Sequence, residues 1–222
     1  MEESNSPDHL NSSLTDLMTS LMVIFILLLL VFVQRTGAKD PAVASRLLEE
    51  LQRQLKPGAL GSPEIDKDKK EPNKILIVAP ERLMSFESGR SDLSNKGKDF
   101  LQEKLPAIAG TLYDKQFRDD IESVVVEGHS DLQVFRGLPP DESRNRNLEL
   151  SQQRAMEVVK TALNDLKTTP SQEQAWFLGK LSASGRGQQD CQVANTQDEC
   201  RKVIFVIRVR AVDAKAIEAH MK

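Results

Sequence analysis

The sequence predicts an α/β chain of the α+β sandwich kind, with helices packed on a mixed β-sheet, behind a single N-terminal transmembrane helix. Three observations carry this. Residues 17–33, LMTSLMVIFILLLLVFV, run 17 positions without a charge, at the short end for a helix crossing a roughly 30 Å hydrocarbon core. Beyond residue 74, short apolar runs rich in Val and Ile alternate with stretches of helical spacing, the pattern of helices covering one face of a sheet. Between these regions, KPGALGSPEIDKDKKEPN at 56–73 is rich in Pro, Gly and charge and reads as a linker. The 222 residues suffice for one domain plus an extra segment. With 30 basic and 33 acidic residues the net charge is −3, so no global basic field for nucleic acid exists. Mean hydropathy of −0.40 is that of a soluble protein and conceals the apolar run.

In chain order, residues 1–13 form a polar, acidic-leaning leader, expected to be mobile and cytoplasmic, and 14–35 the span. A cleaved signal would need a basic start and a small-residue cleavage step, and neither is present. Basic residues Arg35, Lys39, Arg46 and Arg53 follow the span. Alone, that charge bias would place the C-terminal part in the cytoplasm, although long domains are exported regardless of it. Residues 36–73 form a linker containing a helix at 41–55, with Val43, Leu47, Leu48, Leu51 and Leu55 along one face. That stripe suits either its own domain or, as favoured here, a second copy of the chain. The domain itself is expected over 74–212. Its strands are 74–79, 121–127 and 203–212, its helices 91–105 and 150–166, and a tail covers 213–222.

Strand 121–127 runs into Gly128-His129-Ser130-Asp131, and after a loop Asn147-x-x-Leu150-Ser151-x-x-Arg154-Ala155-x-x-Val158 opens a helix. A carboxylate at a strand end and a guanidinium one turn into a helix suit a zwitterion: Asp131 takes an ammonium and Arg154 forks onto a carboxylate. Ser151 would cap the helix and leave backbone N–H groups free for an anion. Alternatively, Asp131 and Arg154 pair with each other. The two segments resemble the G-H-T-D and N-x-x-L-S-x-x-R-A-x-x-V signature of OmpA-like peptidoglycan-binding domains. Phe86-x-x-Gly89, Leu93, a turn at Gly185-Arg186-Gly187, and Arg201-Lys202-Val203 match further. The resemblance covers 83–210. It implies that the ligand is the diaminopimelate of the peptidoglycan stem peptide, held by Asp131 and Arg154 with Ser130, Asn147 and Ser151 in support. The chain departs from the pattern in Ser130, where Thr is usual, and in a longer, more basic loop at 132–146.

Thr15-Asp16-Leu17-Met18-Thr19-Ser20-Leu21-Met22 ahead of the apolar run resembles the start of the single span in MotB/ZorB-type stator subunits. The acidic leader brings it nearer the ZorB type of the Zorya anti-phage defence system. A carboxylate at membrane depth costs about 2.5–3.5 kcal/mol and is normally functional; a plain helix cap at the interface is the alternative. The resemblance implies that Asp16 carries the translocated H⁺ or Na⁺, with the hydroxyls of Thr19 and Ser20 on its face. It further implies a homodimer within a ring of five MotA/ZorA-like channel subunits. The location would be the inner membrane, single-pass, N-terminus cytoplasmic and domain periplasmic, against the charge bias.

His9, His129 and His220 have no metal spacing, and neither a nucleotide-cradling loop nor a nucleophile elbow is present, so an enzyme is not expected, nor any bound cofactor or metal. Three functions remain: a wall-anchored stator of the ZorB kind, a flagellar MotB-type stator, and a passive membrane-to-wall tether. A TonB-system-type coupler fits less well, because such couplers lack the wall-binding motif pair. Cys191 and Cys200 flank an eight-residue polar loop, and in an oxidising periplasm they are expected to form a disulfide; free thiols are the alternative.

Overall fold

The computed structural model describes residues 7–37, 41–56, 61–87, 89–168, 170–192 and 196–210. The chain divides into two units, residues 1–40 with 211–222, and residues 41–210.

The first unit holds helix α1, Pro7–Gly37. At 1.5 Å per residue its 31 residues span about 46 Å. It starts earlier than the expected span, so 7–13 of the anticipated leader is helical backbone. Among the described residues no helix is long and apolar enough to cross a membrane. Thirteen large apolar side chains from Leu17 to Val31 nevertheless stand exposed on α1. Residues 1–6 and the tail at 213–222 lie outside the described residues.

The second unit contains a five-stranded sheet of order β1-β2-β5-β3-β4. Its strands are β1 Glu64–Lys67, β2 Lys74–Pro80, β3 Ile121–His129, β4 Leu181–Gly187 and β5 Lys202–Val209. Only the β3–β4 pair is parallel; the others are antiparallel. Helices α2 Pro41–Gln54, α3 Asn95–Tyr113, α4 Pro140–Asp165 and α5 Ser171–Lys180 accompany it, with a single turn α6 at Gln197–Cys200. On strand β5, Val203, Phe205, Ile207 and Val209 join the core with Ile75 and Ile77 of β2; Ile204 and Val206 on the other face are buried as well, so burial does not alternate as expected. The expected mixed sheet with packed helices is present.

Several boundaries move for identifiable reasons. The α2 stripe is buried in its own unit: Ala44, Leu47 and Leu51 are 0% exposed and Leu55 is 2% exposed. The stripe therefore covers this core and not a second copy, and each such leucine contributes roughly 1.5–3 kcal/mol. The domain consequently starts at Pro41, and part of the expected linker forms the edge strand β1, tied to α2 by Gln52 Nε2 donating to Ile65 O at 3.1 Å. Helix α3 starts at Asn95 because the Ser94 hydroxyl accepts from Gly97 N at 3.2 Å. Helix α4 starts at Pro140, ten residues before the expected helix. Proline at the first helical position and Asp141 and Glu142 in the first turn favour that start. Residues 185–187, expected as a turn, finish β4.

Two glycines let sheet and helix touch. A Cβ on Gly128 would lie 2.2 Å from Ser151 O, and one on Gly185 would lie 2.6 Å from Gln152 N. Strands β3 and β4 therefore press directly onto the middle of α4, which brings the end of β3 beside residues 147–154.

Candidate ligand-binding site

Where β3 ends, Ser130 N–H donates to Gly187 O at 2.8 Å. This bond holds the next residue, Asp131, at the mouth of a cavity of about 240 Å³. Gln133 N–H donates to Asp131 Oδ1 at 3.1 Å, a local turn that fixes the carboxylate, whose second oxygen lies 4.0 Å from Arg201 Nη1. The Ser130 hydroxyl is buried and has no partner among the described residues. Facing the cavity, it is a group a ligand can satisfy.

Arg154 forms another wall. It is only 4% exposed, on the interior of α4 with its guanidinium packed against Phe86 and the Arg90 carbonyl. Its Nε donates to Arg90 O at 3.1 Å, and its guanidinium carbon stands 5.1 Å from the Phe86 ring centroid. Burial first, then the charge of Arg201, pushes Arg154 down to about 10, partly countered by Glu81 and Asp131. It remains a cation at neutral pH. Among the described residues no ion pair joins Arg154 to Asp131. The two expected ligand-binding charges share one cavity without neutralising each other.

Arg201 lines the same cavity and was noted in the sequence only as a motif match. Its Nη2 meets Glu81 Oε1 at 2.5 Å, and its Nη1 is 4.0 Å from Asp131 Oδ2. Burial pushes the Glu81 carboxyl up. The residue before Arg201, Cys200, is joined to Cys191 with sulfurs 2.02 Å apart and Cα atoms 4.9 Å apart, tying the start of β5 to the segment that follows β4.

The remaining expected site residues divide. Asn147 lines the cavity, but its Nδ2 donates to Gln133 O at 2.9 Å, so the amide positions the loop above. Ser151 is not an N-cap. It lies in the interior of α4, where its hydroxyl donates to Leu148 O at 2.7 Å and accepts from Gly187 N at 2.9 Å. It joins helix to sheet and is absent from the cavity wall, and no free helix N-terminus stands there for an anion. On α1, Asp16 is exposed and sits nine residues past the first helical residue, too far in to cap the helix. The Thr19 hydroxyl bonds back to Thr15 O at 3.0 Å and Asp16 O at 2.9 Å. Its proton is therefore held by the helix backbone. Among the described residues no group of three or more His, Cys, Asp or Glu side chains could hold a metal ion.

This arrangement defines an OmpA-like domain, and the chain belongs to the OmpA family, whose model matches residues 85–204. Among solved structures, the chain is similar to the periplasmic domain of MotB from Helicobacter pylori (residues 78–256). Identity is 16%, coverage 74% of this chain and 94% of that one, and the TM-score 0.49. The cell wall anchor of the T6SS from Pseudomonas aeruginosa follows at 19% identity, coverage of 75% and 96%, and TM-score 0.44. The OmpA-like domain of FopA1 from Francisella tularensis gives 16%, coverage of 70% and 86%, and 0.40. At these scores the likenesses add nothing to the family assignment. No curated protein matches the chain.

Proposed function

We propose that the chain is the wall-anchored stator subunit of an ion-driven inner-membrane motor. Its folded unit would lie in the periplasm and hold peptidoglycan through the diaminopimelate of a stem peptide. The observation that carries the wall-binding reading is that Asp131 and Arg154, of opposite charge, line one cavity without pairing with each other. The Asp131 carboxylate meets the ligand ammonium, and the buried Arg154 guanidinium meets the ligand carboxylate. The buried Ser130 hydroxyl adds a third polar contact.

The motor reading rests on α1. Exposed apolar side chains over 17–31 suit lipid or a partner helix, and Asp16 stands inside that helix near the start of the run. A carboxylate there accepts and releases H⁺, or neutralises Na⁺, as ions pass between α1 and a channel subunit. One helix cannot enclose a path, so the partners are MotA/ZorA-like channel subunits, five around two copies of this chain. The wording of residues 15–22 favours the ZorB type, serving anti-phage defence, over the flagellar type.

The test uses the full chain with its channel partner. Asp131→Ala should abolish sedimentation with purified sacculi. Asp16→Asn should assemble normally yet lose ion flux and biological activity. Unchanged sedimentation would reject the wall-binding site, and full activity of Asp16→Asn would leave a passive tether.

A further inference from the structure

The loop 132–139 carries a charge that the zwitterion reading does not use. Phe135, Arg136, Gly137 and Leu138 form a tight turn in which Leu138 N–H donates to Phe135 O at 3.1 Å. Gly137 takes φ +85°, the conformation a type II turn requires at its third residue. Arg136 is thus fixed at the corner position. Two buried side chains hold the turn from below: Ser143 Oγ accepts from Phe135 N at 2.7 Å, and Asn147 Nδ2 donates to Gln133 O at 2.9 Å. Arg136 lines the same cavity as Asp131 and Arg154. Among the described residues it has neither a hydrogen bond nor an ion pair.

The charge balance of the cavity then points to the ligand. Three guanidinium groups line it, Arg136, Arg154 and Arg201, against one carboxylate, Asp131. Glu81, just behind the wall, holds Arg201 at 2.5 Å. A zwitterionic amino-acid end engages Asp131 and Arg154 together. One cation, Arg136, is left facing the cavity with nothing to meet it. We infer that Arg136 is a second anion subsite, which binds a carboxylate of the stem peptide other than the one on its zwitterionic end. The inference rests on the wall-binding reading and narrows it: the preferred wall is one whose stem carboxylates are free and not amidated.

The test measures binding of two tripeptides, L-Ala-γ-D-Glu-meso-diaminopimelate, to the full-length chain in detergent by calorimetry. One tripeptide is the free acid. The other has every carboxylate amidated except that of the zwitterionic end. Wild type should prefer the free acid by about 1.5- to 5-fold, the range of one exposed charge contact. Arg136→Gln should bind the two equally while keeping the wild-type affinity for the amidated peptide. Equal binding of both peptides by wild type would overturn the inference and leave the zwitterion site standing. So would a preference that survives in Arg136→Gln, or an equal loss on both peptides. Binding of neither peptide by wild type would overturn both this inference and the wall-binding reading beneath it.

Discussion

Replacing Arg154 by Met should change the stability of the folded unit little while abolishing ligand binding. Lowering the Arg154 guanidinium to about 10 corresponds to roughly 3 kcal/mol of disfavoured charge in the fold. Against this stand one charge-assisted hydrogen bond to a carbonyl, worth about 1.5–3 kcal/mol, and one ring contact with Phe86, worth about 0.5–1 kcal/mol. Met fills similar volume beside that ring and needs no hydrogen bonds. The expected net change is close to zero, within about 1 kcal/mol, read from the urea midpoint with an unchanged slope. The sign with pH follows from a depressed cation. The charge is present in both folded and unfolded chains below about 10, so the destabilisation is full there and is relieved as pH rises above that value. The stability difference between Arg154→Met and wild type should therefore be constant between pH 6 and pH 9. A loss of 1 kcal/mol or more, or retained sedimentation with sacculi, would refute the claim that Arg154 is an uncompensated charge kept for its ligand.

Gly128→Ala should destabilise the unit by about 2–4 kcal/mol in thermal unfolding, since a Cβ 2.2 Å from Ser151 O forces β3 off α4; an unchanged Tm would contradict that close approach. Replacing Cys191 and Cys200 together by Ser should cost roughly 2–3 kcal/mol for a crosslink across nine positions, measured by denaturation without reductant. It should also weaken stem-peptide binding by loosening Arg201. Leu51→Ala should cost about 2–5 kcal/mol, with an unfolding midpoint independent of protein concentration because Leu51 packs in its own unit. A concentration-dependent midpoint would restore the second-copy reading of the α2 stripe.

The parts of the fold that were legible are those with strong hydrophobic period. Strands β2, β3 and β5 are runs of Ile and Val that leave little alternative, and β5, between β2 and β3, is buried without a break from Val203 to Ile207. The pair α5 and β4 was not legible. Only Phe177 of α5 is buried, and β4 is LSASGRG, small and polar with no alternation to read. Its strand character comes from parallel pairing with β3 and from contact with α4, where glycine replaces a side chain because Gln152 lies so close. The start of α4 was legible in principle: Pro139-Pro140-Asp141-Glu142 is a helix-start signal. It was overridden by a motif that marks where the site lies on the helix and says nothing about where the helix begins. The α2 stripe is ambiguous for a different reason, since apolar spacing records that a face is buried but not against what.

The shared neighbourhood of Asp131 and Arg154 was legible, but the burial of Arg154 was not. Asp131 and Arg154 follow from residue type and motif spacing, yet sequence reasoning exposes charged side chains, because an isolated buried charge is unfavourable. Among the described residues Lys104 and Arg154 break that rule; Lys104 is paired with Glu103, whereas Arg154 lines the cavity, and that failure is informative. Local preferences that disagree with the tertiary environment concentrate at functional sites. A guanidinium fixed by Phe86 and Arg90 O before any ligand arrives has little side-chain freedom left to lose on binding. Desolvation already borne by the fold also strengthens its attraction for an incoming carboxylate. Ser151 follows the same logic from the other side. Its position in the motif suggested a ligand contact, but its hydroxyl links α4 to Gly187, whose carbonyl in turn holds Ser130. It keeps Ser130 and Asp131 beside Arg154, which is a reason for a motif to include a residue that is absent from the cavity wall.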